Sequence, residues 1–219
     1  SSLNISGPNI VLNTIVAEEL EQFADELEKA DDFKKALKEL LVKTIKEHSR
    51  VIFNGNGYSY EWVEEAERRG LPNIRSMVEA IPALTTEKTV EMFERFHVLT
   101  RAELESRAEI RYENYSKAIN IEARTMIDMA SKQFVPAFVK YTRSLADTVN
   151  AVREAGADTT VQAEILNEVT KLLGETREAL AALAKVTEEA MEKPEGEERA
   201  RFYYFEVTPA MERLRAPVD

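Results

Sequence analysis

The chain has no cysteine, only 2 histidines, and just 7 glycines and 7 prolines in 219 residues. Without cysteine there is no disulfide framework, no zinc–thiolate site and no thiol nucleophile. So few glycines and prolines starve turn-rich β architectures and favour long helices. No stretch approaches the roughly 20 apolar residues of a membrane span. No signal peptide opens the chain, so the cytoplasm is the expected compartment. Basic charge is also in deficit. A net charge of −11 and a pI near 4.9 oppose a nucleic-acid face, which needs clustered Lys and Arg. They equally oppose docking on anionic membranes.

What is present is helical periodicity. From Asn9, Leu12, Val16, Leu20, Phe23, Leu27 and Ala30 recur at threes and fours. Asp31 and Asp32 mark a break or a second N-terminus, after which Phe33, Leu37, Leu41 and Ile45 continue the stripe towards His48. The two Asn-Gly steps of Asn54-Gly55-Asn56-Gly57 favour a tight turn. A helix follows from Ser59 and stops at Gly70. Short helices run past Pro72 and Pro82, one opened by the capping box Ser76-x-x-Glu79. A second box, Thr100-x-x-Glu103, opens the longest pattern, which carries Leu104, Tyr115, Met126, Phe134 and Val149 and ends at Gly156. Pro136 inside it predicts a kink. From Ile165 to Ala190 the period alternates strictly between four and three, and Leu166, Leu173 and Leu180 widen the face into a bundle seam. After the turn at Lys193-Pro194-Glu195-Gly196, a last helix carries Phe202, Phe205, Met211 and Leu214, bent or split by Pro209. The expected fold is all-α: long kinked helices in an antiparallel hairpin or bundle, with several short helices. At most a short strand is expected, near Val51–Phe53. The expected organisation is a short-helix region over 1–99 and a long-helix bundle over 100–219.

Chemistry finds little support in these residues. Glu94-x-x-His97 has the spacing of one half of a di-metal bundle site, but the second copy is missing. His48 sits where an imidazolium meets a helix C-terminus. The Asn54–Gly57 turn lacks Walker and dinucleotide spacing, and no serine has a nucleophile-elbow context. No catalytic, cofactor-binding or metal-binding residue is assigned. From the residues alone the chain reads as a packing or interaction module. A free-standing all-α interaction protein with no enzymatic role is one form of that reading.

Three segments carry a more specific likeness. Ser6-Gly7-Pro8-Asn9-Ile10-Val11-Leu12-Asn13-Thr14-Ile15-Val16-Ala17-Glu18 resembles the point where type III glutamine synthetases leave their catalytic barrel. Arg50-Val51-Ile52-Phe53-Asn54-Gly55-Asn56-Gly57-Tyr58-Ser59 is similar to a second stretch of that family. Glu113-Asn114-Tyr115-Ser116-Lys117 with Ile121-Glu122-Ala123 is similar to a third. The likeness runs from Ser1 to about Ala146 and fades over Ile165–Met191. Tyr60 stands where the family pattern has an acidic residue, and His97-Val98-Leu99-Thr100 replaces Gly-Val-Phe-Thr.

The resemblance implies a parent that joins ammonia to glutamate with ATP and Mg, through γ-glutamyl phosphate, in stacked homo-oligomeric rings. It also implies that the metal-binding glutamates and substrate-binding arginines precede Ser1, a residue that itself suggests a piece of a longer chain. Alone, the piece is expected to be inactive. Its partners are then its own catalytic domain and neighbouring subunits, with no nucleic acid and no membrane. The expected interface residues are Ile10, Val11, Leu12, Ile15 and Val16, because they crowd more than one face of the first helix.

Overall fold

The computed structural model describes residues 4–219, and among them there is helix but no strand. The chain divides into two compact units, the first reaching Ser106 and the second spanning Arg107–Asp219.

The first unit opens with α1 (Ser6–Glu28) and α2 (Phe33–Glu47). Helix α1 begins three residues before the expected Asn9. Asn4 Oδ1 accepts the Ser6 N–H at 2.8 Å, and Pro8 falls in the first turn, where a missing donor costs nothing. Asp32 is the N-cap of α2, its Oδ1 accepting the Lys35 N–H at 3.1 Å. A 3₁₀ turn at Ser49–Val51 leads to α3 (Tyr60–Arg68), α4 (Met77–Ala80), a 3₁₀ turn over Ile81–Thr85, and α5 (Glu87–Arg95). Ser76 caps α4 as its sequence box requires, with Glu79 N–H on Ser76 Oγ at 3.1 Å and Ser76 Oγ on Glu79 Oε2 at 2.9 Å. No strand forms near Val51–Phe53. Arg69 Nη1 donates to the carbonyls of Arg50 at 3.1 Å and Ile52 at 2.8 Å, so a guanidinium occupies the acceptors a ladder would use. The core joins Val90 and Phe93 of α5 to Leu104, with Ile10, Val11, Met92 and Leu99 around them.

Helix α5 closes on His97, whose φ is 52°. His97 N–H reaches Glu94 O and Val98 N–H reaches Phe93 O. Gly70 and Gly156, at φ of 69° and 77°, close α3 and α7 in the same left-handed way.

The box at Thr100 opens α6 (Arg101–Met129), Glu103 N–H meeting Thr100 Oγ1 at 3.3 Å and Thr100 N–H meeting Glu103 Oε2 at 2.8 Å. Helix α6 continues through a π turn at Ala130–Phe134 into α7 (Val135–Glu154), a kinked run of 54 residues. The kink has the cause expected. Pro136 has no N–H to offer and its ring crowds the preceding turn. Val135 N–H therefore bonds Ala130 O, one residue further back than in an α-helix. Helix α8 (Thr160–Glu192) returns along α7, and α9 (Glu197–Phe202) leads through a π turn at Tyr203–Val207 into α10 (Thr208–Arg215). Pro209 repeats the device, with Thr208 N–H on Tyr203 O. The core of the second unit sets Ala123 and Ala130 of the long run against Leu183, Ala190, Tyr203, Val207, Ala210 and Leu214.

Candidate functional site

Helix α1 has two apolar faces, and the first unit covers only one fully. Ile10 and Val11 pack against the Val90–Phe93–Leu104 core. Next on that line, Thr14 is buried, its hydroxyl satisfied by Ile10 O at 2.8 Å. Glu18 and Glu21 continue it and pair with Arg95 of α5 at 3.0 and 3.1 Å. The inward line therefore differs from the Leu12–Val16–Leu20 stripe read from the sequence. That stripe is covered only at its far end, where Phe23, Leu27 and Ala30 are half-buried. Leu12 is 59% exposed, Ile15 42% and Val16 56%. Of the five expected interface residues, two face the core and three face outward.

Helix α2 shows a similar displacement. Leu40 is its buried residue, while Phe33, Leu41 and Ile45 are exposed. A row of fours advances about 40° beyond each turn, so it climbs off any single face. That drift was the available sign that α2 also presents apolar surface outward. Lys43 ties α2 to α1 through Glu26 at 3.6 Å.

The asparagine–glycine segment is built as a rigid loop. Asn56 Oδ1 accepts the Tyr58 N–H at 3.0 Å, and Ser59 N–H and Oγ both reach Asn56 O. The Phe53 ring stacks on Trp62 at 4.4 Å, and the Arg69 guanidinium lies 5.9 and 5.6 Å from the two ring centres. A Cβ on Gly55 would stand 2.5 Å from the Phe53 ring, so any side chain there would have to displace that ring from its stack on Trp62. Glu65 holds Arg68 at 2.6 Å and Arg69 at 2.5 Å. Hydrogen bonds from these two arginines pull its carboxyl down to about 2. Tyr58 and Tyr60 stand in solvent beside this clamp.

The two histidines have backbone placements. His48 is the C-cap of α2, and His97 holds the left-handed position after α5. Glu94 Oε1 accepts the Arg101 N–H at 2.9 Å, which commits it to the start of α6. Among the described residues no three His, Cys, Asp or Glu side chains converge as metal ligands would. Of the Glu113–Lys117 segment, Tyr115 packs on the second core, Ser116 returns its hydroxyl to Tyr112 O at 3.0 Å, and Lys117 pairs with Glu113 at 2.5 Å.

Known proteins match this sequence. The glutamine synthetase C-terminal domain matches residues 36–153, more than half of the chain. The chain belongs to the glutamine synthetase C-terminal domain family. It is 36% identical over 191 residues to a glutamine synthetase of Butyrivibrio fibrisolvens, covering 86% of this chain and 27% of that protein. It is 36% identical over 201 residues to a type-3 glutamine synthetase of Dictyostelium discoideum, with the same shares. A glutamine synthetase of Bacteroides fragilis is 26% identical over 229 residues, 100% of this chain and 31% of that protein. The chain thus spans less than a third of the length of these relatives. The family match takes in α2 to α7 with the asparagine–glycine loop and the Glu113 segment, two of the three segments that carry the sequence likeness. No helix among the described residues is long and apolar enough to cross a membrane.

Proposed function

We propose that this chain is the non-catalytic helical part of a cytoplasmic glutamine synthetase, and that it serves packing and assembly of the parent enzyme. The parent joins ammonia to glutamate with ATP and magnesium through γ-glutamyl phosphate. Its partners here are the catalytic domain of the same protein and neighbouring subunits of a homo-oligomer. The observation that carries this reading is the second face of α1. A helix at the edge of one unit needs a single apolar stripe, yet Leu12, Ile15 and Val16 are exposed on the side away from Ile10, Val11 and Thr14. The identity and coverage of the relatives supply a candidate for what covers them: the larger remainder of such a protein.

The residues present do not suit ATP or magnesium. Phosphoryl transfer needs positioned metal and cationic groups on the transferred phosphoryl. Among the described residues no three His, Cys, Asp or Glu side chains converge, and most arginine ion pairs are local, one helical turn apart. The pure chain with ATP, magnesium, glutamate and ammonia should release no phosphate above background. Metal-dependent turnover would overturn the reading. Mixed with the remainder of its own protein, the chain should bind it, and Leu12→Glu with Val16→Glu should abolish binding while leaving helicity intact.

A further inference from the structure

In the second unit, a cavity of about 200 Å³ lies where α6 meets the end of α8, the turn at Gly196, α9 and the π turn after it. The Glu113–Lys117 segment lends Glu113, Ser116 and Lys117 to its wall. Met191 comes from α8, and Glu195, Arg199 and Tyr203 come from beyond the end of that helix. Three of these polar side chains are largely withdrawn from solvent: Tyr203 is 0% exposed, Ser116 6% and the Arg199 side chain 18%. Polar groups out of solvent need partners, and a cavity beside them is where a ligand can supply those that are missing.

The hydrogens of the two hydroxyls are already committed. Ser116 Oγ donates to Tyr112 O at 3.0 Å. Tyr203 Oη donates to the Met191 sulfur at 3.3 Å, a weak acceptor. Each oxygen therefore offers lone pairs alone, and a ligand that meets them has to bring hydrogens. The cations are the reverse case. Arg199 Nε and Nη2 donate to Lys193 O at 2.9 and 2.7 Å, Nη2 also reaches Met191 O at 3.4 Å, and Nη1 reaches Glu195 at 3.2 Å. Of the five guanidinium hydrogens, one on Nη1 remains. Lys117 pairs with Glu113 at 2.5 Å, and its ammonium has two further hydrogens to give.

We propose that this cavity binds a small α-amino acid as its zwitterion, the ammonium group on the Tyr203 and Ser116 oxygens and the carboxylate on Lys117 and Arg199. Size and charge select that class. About 200 Å³ is room for roughly six or seven waters at about 30 Å³ each. That suits a small amino acid and falls below the roughly 300–1,000 Å³ of sites for larger ligands. A simple carboxylate would bring nothing for the two hydroxyl oxygens and would meet Glu113 and Glu195. A simple amine would leave Lys117 and Arg199 unanswered. A zwitterion meets both sets at once.

The inference concerns the second unit alone and stands whether or not α1 docks. L-alanine is the probe, beside L-alaninamide, which lacks the carboxylate, and N-acetyl-L-alanine, which lacks the ammonium. In ligand-observed NMR titrations of the whole chain, L-alanine should bind in the millimolar range, and each analogue at least about tenfold more weakly. Tyr203→Phe removes one acceptor and Lys117→Gln one cation, and each should weaken L-alanine about tenfold. The Lys117 side chain is 65% exposed, so Lys117→Gln should keep the wild-type Tm, and it decides the matter even where Tyr203→Phe disturbs the core. No binding of L-alanine, as for a cavity that holds water alone, would overturn the inference. So would N-acetyl-L-alanine or L-alaninamide binding as well as L-alanine, or a Lys117→Gln variant that binds like the wild type.

Discussion

His97 holds a left-handed conformation at φ 52°, which an L-residue adopts at a cost of about 1–2 kcal/mol. Its side chain is exposed, so nothing buried offsets that strain. His97→Gly should raise stability by about 0.5–1 kcal/mol after glycine's greater unfolded-state entropy is allowed for, while His97→Ala should give no gain. Thermal melts of the two variants check this, and a lower Tm for His97→Gly would contradict it. Glu65 offers a pH test. Its carboxyl lies at about 2, held down from 4.5 by the hydrogen bonds from Arg68 and Arg69. A depressed carboxyl contributes stability that is present above its unfolded value and lost as pH falls through its folded value. The clamp over Phe53 and Trp62 should therefore loosen between about pH 4.5 and 2. The single tryptophan reads that window by fluorescence, and Glu65→Gln should flatten the change across it. A wild-type titration already flat there would show that the arginines do not hold the clamp. At this scale the sequence was most legible where a motif is local. The Ser76 and Thr100 capping boxes form because their partners lie three residues away. The Arg69 clamp was invisible because its acceptors, Arg50 O and Ile52 O, lie a loop away.

Each long helical run with an internal proline solves the problem identically. The residue before the proline bonds five residues back, Val135 to Ala130 O and Thr208 to Tyr203 O. A π turn holds one residue more than an α turn, so it rotates everything beyond it by about 100° relative to everything before. The position of the bend at Pro136 could be read from the sequence, because the missing donor is a property of the residue. Its form could not, since the carbonyl that re-pairs depends on which rotation buries Val149 where α7 meets α8. The drift of the Leu12 and Phe33 rows off their core faces has the same origin, a periodic row whose phase only the packing partner fixes. If the rotation matters, deleting Gln133 alone should restore α register but drive the proline ring into the preceding turn, destabilising by about 3 kcal/mol. Adding Pro136→Ala to the deletion should recover most of that loss. Chemical denaturation of the pair checks it; no recovery in the double variant would mean that the π turn itself is required.

The whole chain, net charge −11, leaves one apolar flank of α1 uncovered, with Leu12, Ile15 and Val16 exposed. The area at stake is that of these three side chains and their neighbours. Covering roughly 300–400 Å² there gives about 8–10 kcal/mol gross. Most of this is offset by the lost freedom of association. Without the rest of the enzyme, the α1 face should therefore pair weakly with itself. Wild-type protein should accordingly pass from monomer to dimer as its concentration rises, and Ile15→Glu should stay monomeric. The variant should fold, since Ile15 is 42% exposed in the single chain. Sedimentation velocity on the two proteins checks this. A variant that still assembles would place the contact on another surface, and a wild type that remains monomeric would leave the α1 flank without a role in self-association.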